Sequence, residues 1–207
     1  MSKELLIDHW RSTGIITDKR VLKAFSEIPR EQFVPPELKI MAYDDVPLPI
    51  GEDQTISQPS TVMLMLQALE LKSSDVVLEV GAGSGYNAAL LGKLCKYVYS
   101  TEIIKPLALA AHHRLKQLGI TNVTIINVDG SEGYAKYAPY DKIVVTAACP
   151  RLPNALVQQL REGGIILAPV GDSFQQIMHK GRKENGNLEI ESLGSFVFVP
   201  LTGKGAR

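Results

Sequence analysis

The sequence predicts an α/β fold, a Rossmann-like doubly wound and mostly parallel sheet with an antiparallel C-terminal edge, preceded by N-terminal helices. Two observations predict this fold. Short apolar segments typical of buried strands alternate with helical segments from residue 75 onward. The first of these strands also runs directly into a glycine-rich turn, as in sheets that bind ligands at the carboxyl ends of their strands.

Residues 1–74 are expected to form helices and loops. An apolar stripe at helical spacing predicts a helix that follows Thr17, its expected N-cap, and ends at Pro29. The stretch 34–57 is rich in proline, so it is predicted to be mostly loop. A further helix is predicted over 59–71.

From residue 75 the predicted strands and helices alternate. The strands are expected at 76–80, 97–101, 123–128, 142–146 and 165–170, and the helices at 86–95, 106–118 and 153–160. Two last segments, 176–180 and 188–199, flank a turn-rich stretch and predict an antiparallel pair. We therefore expect a single domain over 1–207, in which 1–74 is an extension that contributes to the site and 75–207 is the Rossmann-like core.

The composition excludes several classes of partner. Lys and Arg (22) balance Asp and Glu (22), so the charge gives no broad attraction to nucleic acid or to an anionic membrane.

Cys95 and Cys149 match no metal spacing and are expected to be buried free thiols. No run approaches the ~20 apolar residues of a membrane span, and Glu4 and Asp8 argue against a signal peptide. A cytoplasmic monomer without a metal is expected.

The turn after the first strand is the strongest candidate for a cofactor site. The strand carries Glu79 and ends in Gly81-Ala82-Gly83-Ser84-Gly85, where glycines let the backbone approach a ligand without a Cβ. Glu102 follows at the end of the second strand, where its carboxylate can accept both hydroxyls of a ribose. Tyr86 replaces the third glycine of dinucleotide sites, so the pattern favours S-adenosylmethionine over a nicotinamide cofactor.

Two segments after the third and fourth strands bear on the ligand. Asp129, followed by Gly130, can bond an adenine amino group, although an ordinary Asp-Gly turn is the alternative. The segment 145–150 lacks the Asn/Asp-Pro-Pro-aromatic motif of enzymes that methylate base amino groups. Its absence argues against base methylation.

The segment Gly51 to Pro59 carries a resemblance to a known family. The chain closely resembles the protein-L-isoaspartate O-methyltransferases, which methylate the abnormal carboxylate of isoaspartyl residues. The matching segments are 47–51, 54–59, 78–86, 129–130, 138–141, 160–164, 169–171 and 199–203. They span nearly the whole chain, and Thr-Ile-Ser-Gln-Pro at 55–59 is specific to that family, whereas the glycine turn is shared by many methyltransferases.

The resemblance implies S-adenosyl-L-methionine as cofactor, S-adenosyl-L-homocysteine as product, and isoaspartyl (and D-aspartyl) proteins and peptides as substrates. It places the active-site serine at Ser57 and a threonine near the substrate at Thr202. The cofactor contacts that it implies are Gln54, Thr55, Ile56, Ser57, Ser60, Gly81, Ala82, Gly83, Ser84, Gly85, Glu102, Asp129 and Gly130. Glu79, in the strand before the glycine turn, is also expected to contact the cofactor. Ser60 and Asn87 stand where the family varies, which weakens Ser60 as a contact.

The proposed chemistry needs neither a base nor a metal, because a carboxylate with a pKa of ~4 is already ionised at neutral pH. No His or Lys lies in the candidate segments. The Ser57 hydroxyl is expected to orient the substrate carboxylate, although a serine just before a helix that begins with Pro59 is also suited to cap it. An O-methyltransferase for another carboxylate or a small molecule, and a binding module without turnover, are the alternatives.

Overall fold

A seven-stranded sheet forms the centre of the computed structural model, which describes residues 1–172 and 174–206. Its strands are β3 (Val76–Val80), β4 (Tyr97–Glu102), β5 (Val123–Asn127), β6 (Tyr140–Val145), β7 (Leu160–Gly171), β8 (Gln176–Glu184) and β9 (Asn187–Phe196). The spatial order is β5-β4-β3-β6-β7-β8-β9, parallel from β5 to β7 and antiparallel at β8 and β9. The predicted fold class is confirmed, including the antiparallel C-terminal edge.

Successive residues of the central strands face two different cores, because side chains alternate across a strand. Val77 and Val144 point into the larger core, which also contains residues of α4 (Tyr86–Leu94) and α5 (Lys105–Gln117). Leu78, Ile143 and Ile166 point into the smaller core, where α6 (Asn154–Gln159) contributes Leu156. Both faces of the sheet are therefore covered, which explains why these strands are almost uninterrupted apolar runs.

The N-terminal helices pack into the larger core. They are α1 (Lys3–Thr13), α2 (Lys19–Glu27) and α3 (Pro59–Ala68). The predicted N-cap of α2 is wrong: Asp18 caps this helix by accepting the N–H groups of Arg20 and Val21. Thr17 instead donates its N–H to the Gln67 side chain of α3 at 2.7 Å, so it ties the two helices together.

The stretch 34–57 contains more regular structure than predicted. A 3-10 helix covers Pro36–Met41, and β1 (Leu48–Gly51) pairs with β2 (Gln54–Ile56) in an antiparallel hairpin. Glu52 and Asp53 form its turn with positive φ angles of 54° and 55°. The prolines obscured this hairpin, since a two-stranded hairpin consists of edge strands only and tolerates proline where a central strand does not.

The C-terminal segment returns to the end of β6. The N–H of Ala148 donates to the Val199 carbonyl at 2.8 Å, and the N–H of Leu201 donates to the Ala148 carbonyl at 2.7 Å. This connection carries residues 198–202 to the carboxyl edge of the sheet. Cys95 and Cys149 are buried free thiols, as expected. None of the described helices combines the length and the hydropathy that a membrane-spanning helix needs.

An ion-pair cluster joins the end of α3 to β8. Glu70 contacts Lys180 at 2.7 Å and Arg182 at 2.8 Å. The hydrogen bond from Lys180 is the main cause that lowers the pKa of Glu70 from 4.5 to about 2. A depressed pKa in the folded state stabilises the fold above pH 4.5, and this contribution is lost as the pH falls towards 2.

We predict that Glu70→Gln lowers the melting temperature at pH 7 by about 1–3 °C, a small effect because an exposed pair is screened by solvent. The difference from the wild type should shrink between pH 5 and pH 3. Glu184→Gln, which removes an exposed carboxylate of β8, is the control in the same calorimetric series. An equal deficit of the Glu70 variant at pH 7 and pH 3 would contradict this interpretation.

Candidate cofactor and active site

A cleft opens at the carboxyl ends of β3, β4 and β6, where the strand order reverses on either side of β3. It is lined by Gln54, Thr55, Ile56, Ser57, Val62, Met65, Val80, Gly81, Ala82, Gly83, Ser84, Tyr86, Asn87, Thr101, Glu102, Ile103, Ile104, Gly130, Ser131, Thr146, Ala147, Phe198, Val199, Pro200, Leu201 and Thr202. The segments predicted to form the site, which are distant in sequence, therefore meet in one place.

The glycine turn is fixed by its neighbours on both sides. The Thr101 carbonyl of β4 accepts the N–H groups of Gly81 and Ala82, each at 2.9 Å. Just after β6, the Thr146 hydroxyl donates to the Gly81 carbonyl at 2.6 Å. A Cβ on Gly81 would lie 2.4 Å from the same hydroxyl oxygen, and the φ of +99° also disfavours any other residue. Hydrogen bonds and close packing therefore constrain the conformation of the turn from both sides.

Glu102 ends β4 and contacts the glycine turn directly. Its carboxylate accepts the N–H of Gly83 at 2.8 Å and the N–H of Ile104 at 2.9 Å, one on each oxygen. A carboxylate oxygen has a second lone pair, so both oxygens can still accept a hydroxyl. Glu102 is thus held in a fixed orientation and remains able to bind the two hydroxyls of a ribose.

Glu79 lies beneath the cleft rather than in its lining. It is fully buried and accepts hydrogen bonds from the Ser100 hydroxyl and from Asn87 Nδ2, the latter at 2.7 Å. Burial raises the pKa of Glu79 to about 7; the two hydrogen bonds oppose this shift, and the charge of Glu102 adds to it. Glu79 therefore acts on the cleft through Asn87, whose side chain does line it.

Asp129 is occupied by the C-terminal segment. One oxygen accepts the N–H and the hydroxyl of Ser131, and the other accepts the N–H of Lys204 at 2.8 Å. Burial opposes ionisation, but these hydrogen bonds outweigh it and lower the pKa of Asp129. The described lining contains Gly130 and Ser131 but not Asp129. In this structure Asp129 anchors the segment that carries Thr202.

Ser57 directly follows β2 of the β1–β2 hairpin and lines the cleft. No described residue hydrogen-bonds its hydroxyl, which leaves that group able to contact a ligand. The alternative capping role is wrong: Gln58 is the N-cap of α3, and it makes no side-chain capping bond. Thr202 lines the same cleft and is exposed to solvent.

The structure separates the predicted residues into two groups. Those in the lining are Gln54, Thr55, Ile56, Ser57, Gly81, Ala82, Gly83, Ser84, Glu102, Gly130 and Thr202. Ser60, Glu79, Gly85 and Asp129 lie outside the described lining. Gly85 instead allows α4 to approach α5, since a Cβ there would lie 3.0 Å from the Ala111 Cβ.

The cleft also contains residues that the sequence did not indicate. Ile103 and Ile104 follow Glu102 directly and give the cleft an apolar wall, and Thr146 follows β6. Asn87 Oδ1 is buried without a hydrogen-bond partner among the described residues. Ile103 and Thr146 could have been found from their positions at strand ends. The position of Asn87 in the site depends instead on its contact with Glu79, which joins α4 to β3.

These residues fit a nucleoside that carries a cationic amino-acid tail. Glu102 offers oxygens to a ribose, and the isoleucines offer an apolar wall to a base. The unpartnered oxygen of Asn87 and the buried Glu79 behind it suit a positively charged group. Among the described residues, no cluster of side chains could hold a metal ion.

The sheet, the glycine turn and Glu102 together define the class of S-adenosylmethionine-dependent methyltransferases. The family model described as protein-L-isoaspartate(D-aspartate) O-methyltransferase matches residues 1–206. The chain therefore belongs to this family.

Individual relatives agree with this assignment. A protein-L-isoaspartate O-methyltransferase of Thermosipho melanesiensis is 47% identical over 199 residues, which cover 95% of this chain and 100% of the relative. The corresponding protein of Methanoculleus marisnigri is 49% identical over 194 residues, with coverage of 94% and 88%. A Plasmodium falciparum chain described as a protein-L-isoaspartate O-methyltransferase, crystallised with S-adenosyl-L-homocysteine, has a TM-score of 0.86 at 27% identity and covers 98% of this chain and 99% of its own.

We predict that the affinity for S-adenosylmethionine rises severalfold between pH 6 and pH 8. Glu79 has a pKa of about 7 and becomes ionised over this range, and a buried negative charge attracts the cationic cofactor. Glu79→Gln should weaken binding at pH 8, leave it nearly unchanged at pH 6, and flatten the profile. Titration calorimetry measures both constants, with the exposed Glu37→Gln as the control. A variant profile as steep as that of the wild type would assign the dependence to another group.

Proposed function

We propose that this chain transfers the methyl group of S-adenosylmethionine to the free carboxylate of L-isoaspartyl residues in damaged proteins and peptides. The residue types that line the cleft support this function. Its described lining joins Ser57 and Thr202 to the cofactor turn, and it contains no His, Lys, Arg or Cys side chain. Such a site suits a nucleophile that is already ionised.

When bound, S-adenosylmethionine supplies an electrophilic methyl group, which a carboxylate oxygen takes as the carbon–sulfur bond breaks and its electron pair stays on sulfur. The residues of the chain therefore need to bind, orient and exclude water rather than move a proton. Glu102 would hold the ribose, Asn87 the charged tail, and residues 81–84 the turn against the cofactor. Strand β2 (Gln54–Ile56) and Gly130 would enclose the cofactor from two sides of the cleft.

Ser57 and Thr202 would hold the substrate. The free Ser57 hydroxyl can donate to one carboxylate oxygen, which leaves the other oxygen for the reaction. Ser60, Gly85 and Asp129 would act indirectly, through α3, the α4–α5 contact and the C-terminal segment. We also propose that residues 1–207 work as one domain and as a cytoplasmic monomer without nucleic-acid partners, in line with the balanced charge.

The test incubates the protein with methyl-labelled S-adenosylmethionine and either an isoaspartyl peptide or a peptide of the same sequence with a normal aspartyl residue. We expect label only in the isoaspartyl peptide. We also expect Ser57→Ala to lower kcat/KM by about 10- to 100-fold, the effect of losing a hydrogen bond to a charged group. Binding of S-adenosylhomocysteine should change little in that variant. Ser26→Ala, an exposed serine of α2, is the matched control.

Equal labelling of the two peptides would overturn the isoaspartyl assignment and favour an O-methyltransferase for another carboxylate or a small molecule. Cofactor binding without labelling of any carboxylate would favour a binding module instead.

A further inference from the structure

Arg30 is a fully buried cation that lies just after α2 and outside the cleft lining. Its Nε donates to the Ala42 carbonyl at 2.7 Å, and its Nη2 donates to the Ser57 carbonyl at 2.8 Å. The guanidinium carbon also stacks over the Tyr86 ring, 5.0 Å from its centre. One side chain therefore joins the 3-10 segment, the proposed active-site serine and the helix that follows the glycine turn.

The position of Arg30 is costly for the fold. Both of its hydrogen bonds go to neutral carbonyls, and Nη1 has no partner among the described residues. A buried charge destabilises the fold unless it is paired. Arg30 forms no ion pair with a described carboxylate, although the contact with Tyr86 and the longer-range charge of Asp45 oppose the effect of burial. Burial lowers the pKa of Arg30, yet a guanidinium stays protonated in proteins. An apolar side chain could fill this space but would leave the Ala42 and Ser57 carbonyls without this donor, so the hydrogen bonds rather than packing alone explain the arginine.

Asp45 holds the other end of the same short segment. Its Oδ1 accepts the Ser60 N–H at 2.8 Å, and its Oδ2 accepts the Ser60 hydroxyl at 2.7 Å. The indole N–H of Trp10 donates to that hydroxyl oxygen, also at 2.7 Å. Residues 57–60 are thus held by a cation at the first carbonyl and by a carboxylate at the last N–H.

We propose that Arg30 is a positioning residue that fixes the backbone of Ser57 so that its hydroxyl faces the substrate, with Asp45 as its counterpart at Ser60. This proposal rests on the proposed function for its kinetic consequence, though not for its structural one. The rigid fork of arginine reaches two carbonyls at once. A lysine would keep the charge but cannot hold both in fixed directions.

The contact with Tyr86 extends the role of Arg30 to the cofactor side. Tyr86 begins α4 immediately after the glycine turn and lines the cleft. Because Arg30 touches both Ser57 and Tyr86, it sets the distance between the wall that holds the substrate and the wall that holds the cofactor. Displacement of a reacting group by about 1 Å can cost on the order of 100-fold in rate.

The experiment compares Arg30→Lys, Asp45→Asn and Ile28→Val with the wild type in the full chain. Ile28 is buried near the end of α2 but does not hydrogen-bond residues 57–60, so its variant reports core destabilisation alone. The readouts are kcat and KM for an isoaspartyl peptide, the Kd of S-adenosylhomocysteine, the melting temperature, and hydrogen exchange of residues 54–62.

We expect Arg30→Lys to lower kcat by at least about tenfold. The Kd of S-adenosylhomocysteine should rise less than about threefold, because the glycine turn and Glu102 stay in place. Exchange in 54–62 should accelerate in this variant and not in Ile28→Val at an equal loss of melting temperature. Asp45→Asn should also lower kcat and accelerate exchange in 54–62, but by smaller amounts than Arg30→Lys. If Arg30→Lys does not fold, Asp45→Asn tests whether residues 57–60 have to be held in place.

The proposal would be overturned if hydrogen exchange of residues 54–62 were unchanged in Arg30→Lys and in Asp45→Asn. Equal losses of kcat in Arg30→Lys and Ile28→Val would also overturn it. A wild type that labels no isoaspartyl peptide would instead overturn the proposed function. The exchange data would then still decide whether Arg30 fixes the Ser57 segment.

Discussion

The parallel pairing of β3 with β4 is the constraint on which the rest of the site depends. Val80 of β3 lies beside Thr101 of β4, so the two strands end together and their next residues share one edge. The glycine turn can then bond to the Thr101 carbonyl, and the N–H of Gly83 can bond to the Glu102 carboxylate. A shift of this register by one residue would turn Glu102 away from the cleft.

Two segments from outside the parallel core complete the site, and each is held by polar contacts. Residues 57–60 are held by the buried Arg30 and the half-buried Asp45. The segment that carries Thr202 is held by Ala148, Asp129 and Ser131. In the proposed function the sheet would supply the wall that holds the cofactor, whereas two loops that are hydrogen-bonded at defined points would supply the wall that holds the substrate. This division agrees with catalysis by orientation, because no proton transfer has to be built into the site.

The sequence was sufficient to predict the strands, the helices and the glycine turn, because these depend on the pattern of neighbouring residues. Apolar runs and turn residues indicated the strands of the sheet, and the spacing of Glu102 from the glycine turn indicated that they meet. Contacts between distant segments were not predictable in this way. Nothing near Asp129 shows that Lys204 will occupy its carboxylate, and nothing near Arg30 shows that its guanidinium will reach the Ser57 carbonyl. Such partners are set by tertiary packing, as is the Gln67 side chain that draws Thr17 away from its expected capping role.

In the proposed function, the β3–β4 edge holds the cofactor through Glu102 and presents its reacting end to Ser57. A crystal structure of the chain with S-adenosylhomocysteine would show whether the ligand is bound in this way. We expect both ribose hydroxyls within about 3 Å of the Glu102 carboxylate oxygens, with the Gly83 and Ile104 bonds retained. The sulfur should face the Ser57 hydroxyl across the cleft. A ribose bound away from Glu102, or a sulfur separated from Ser57 by protein, would contradict this mode of cofactor binding.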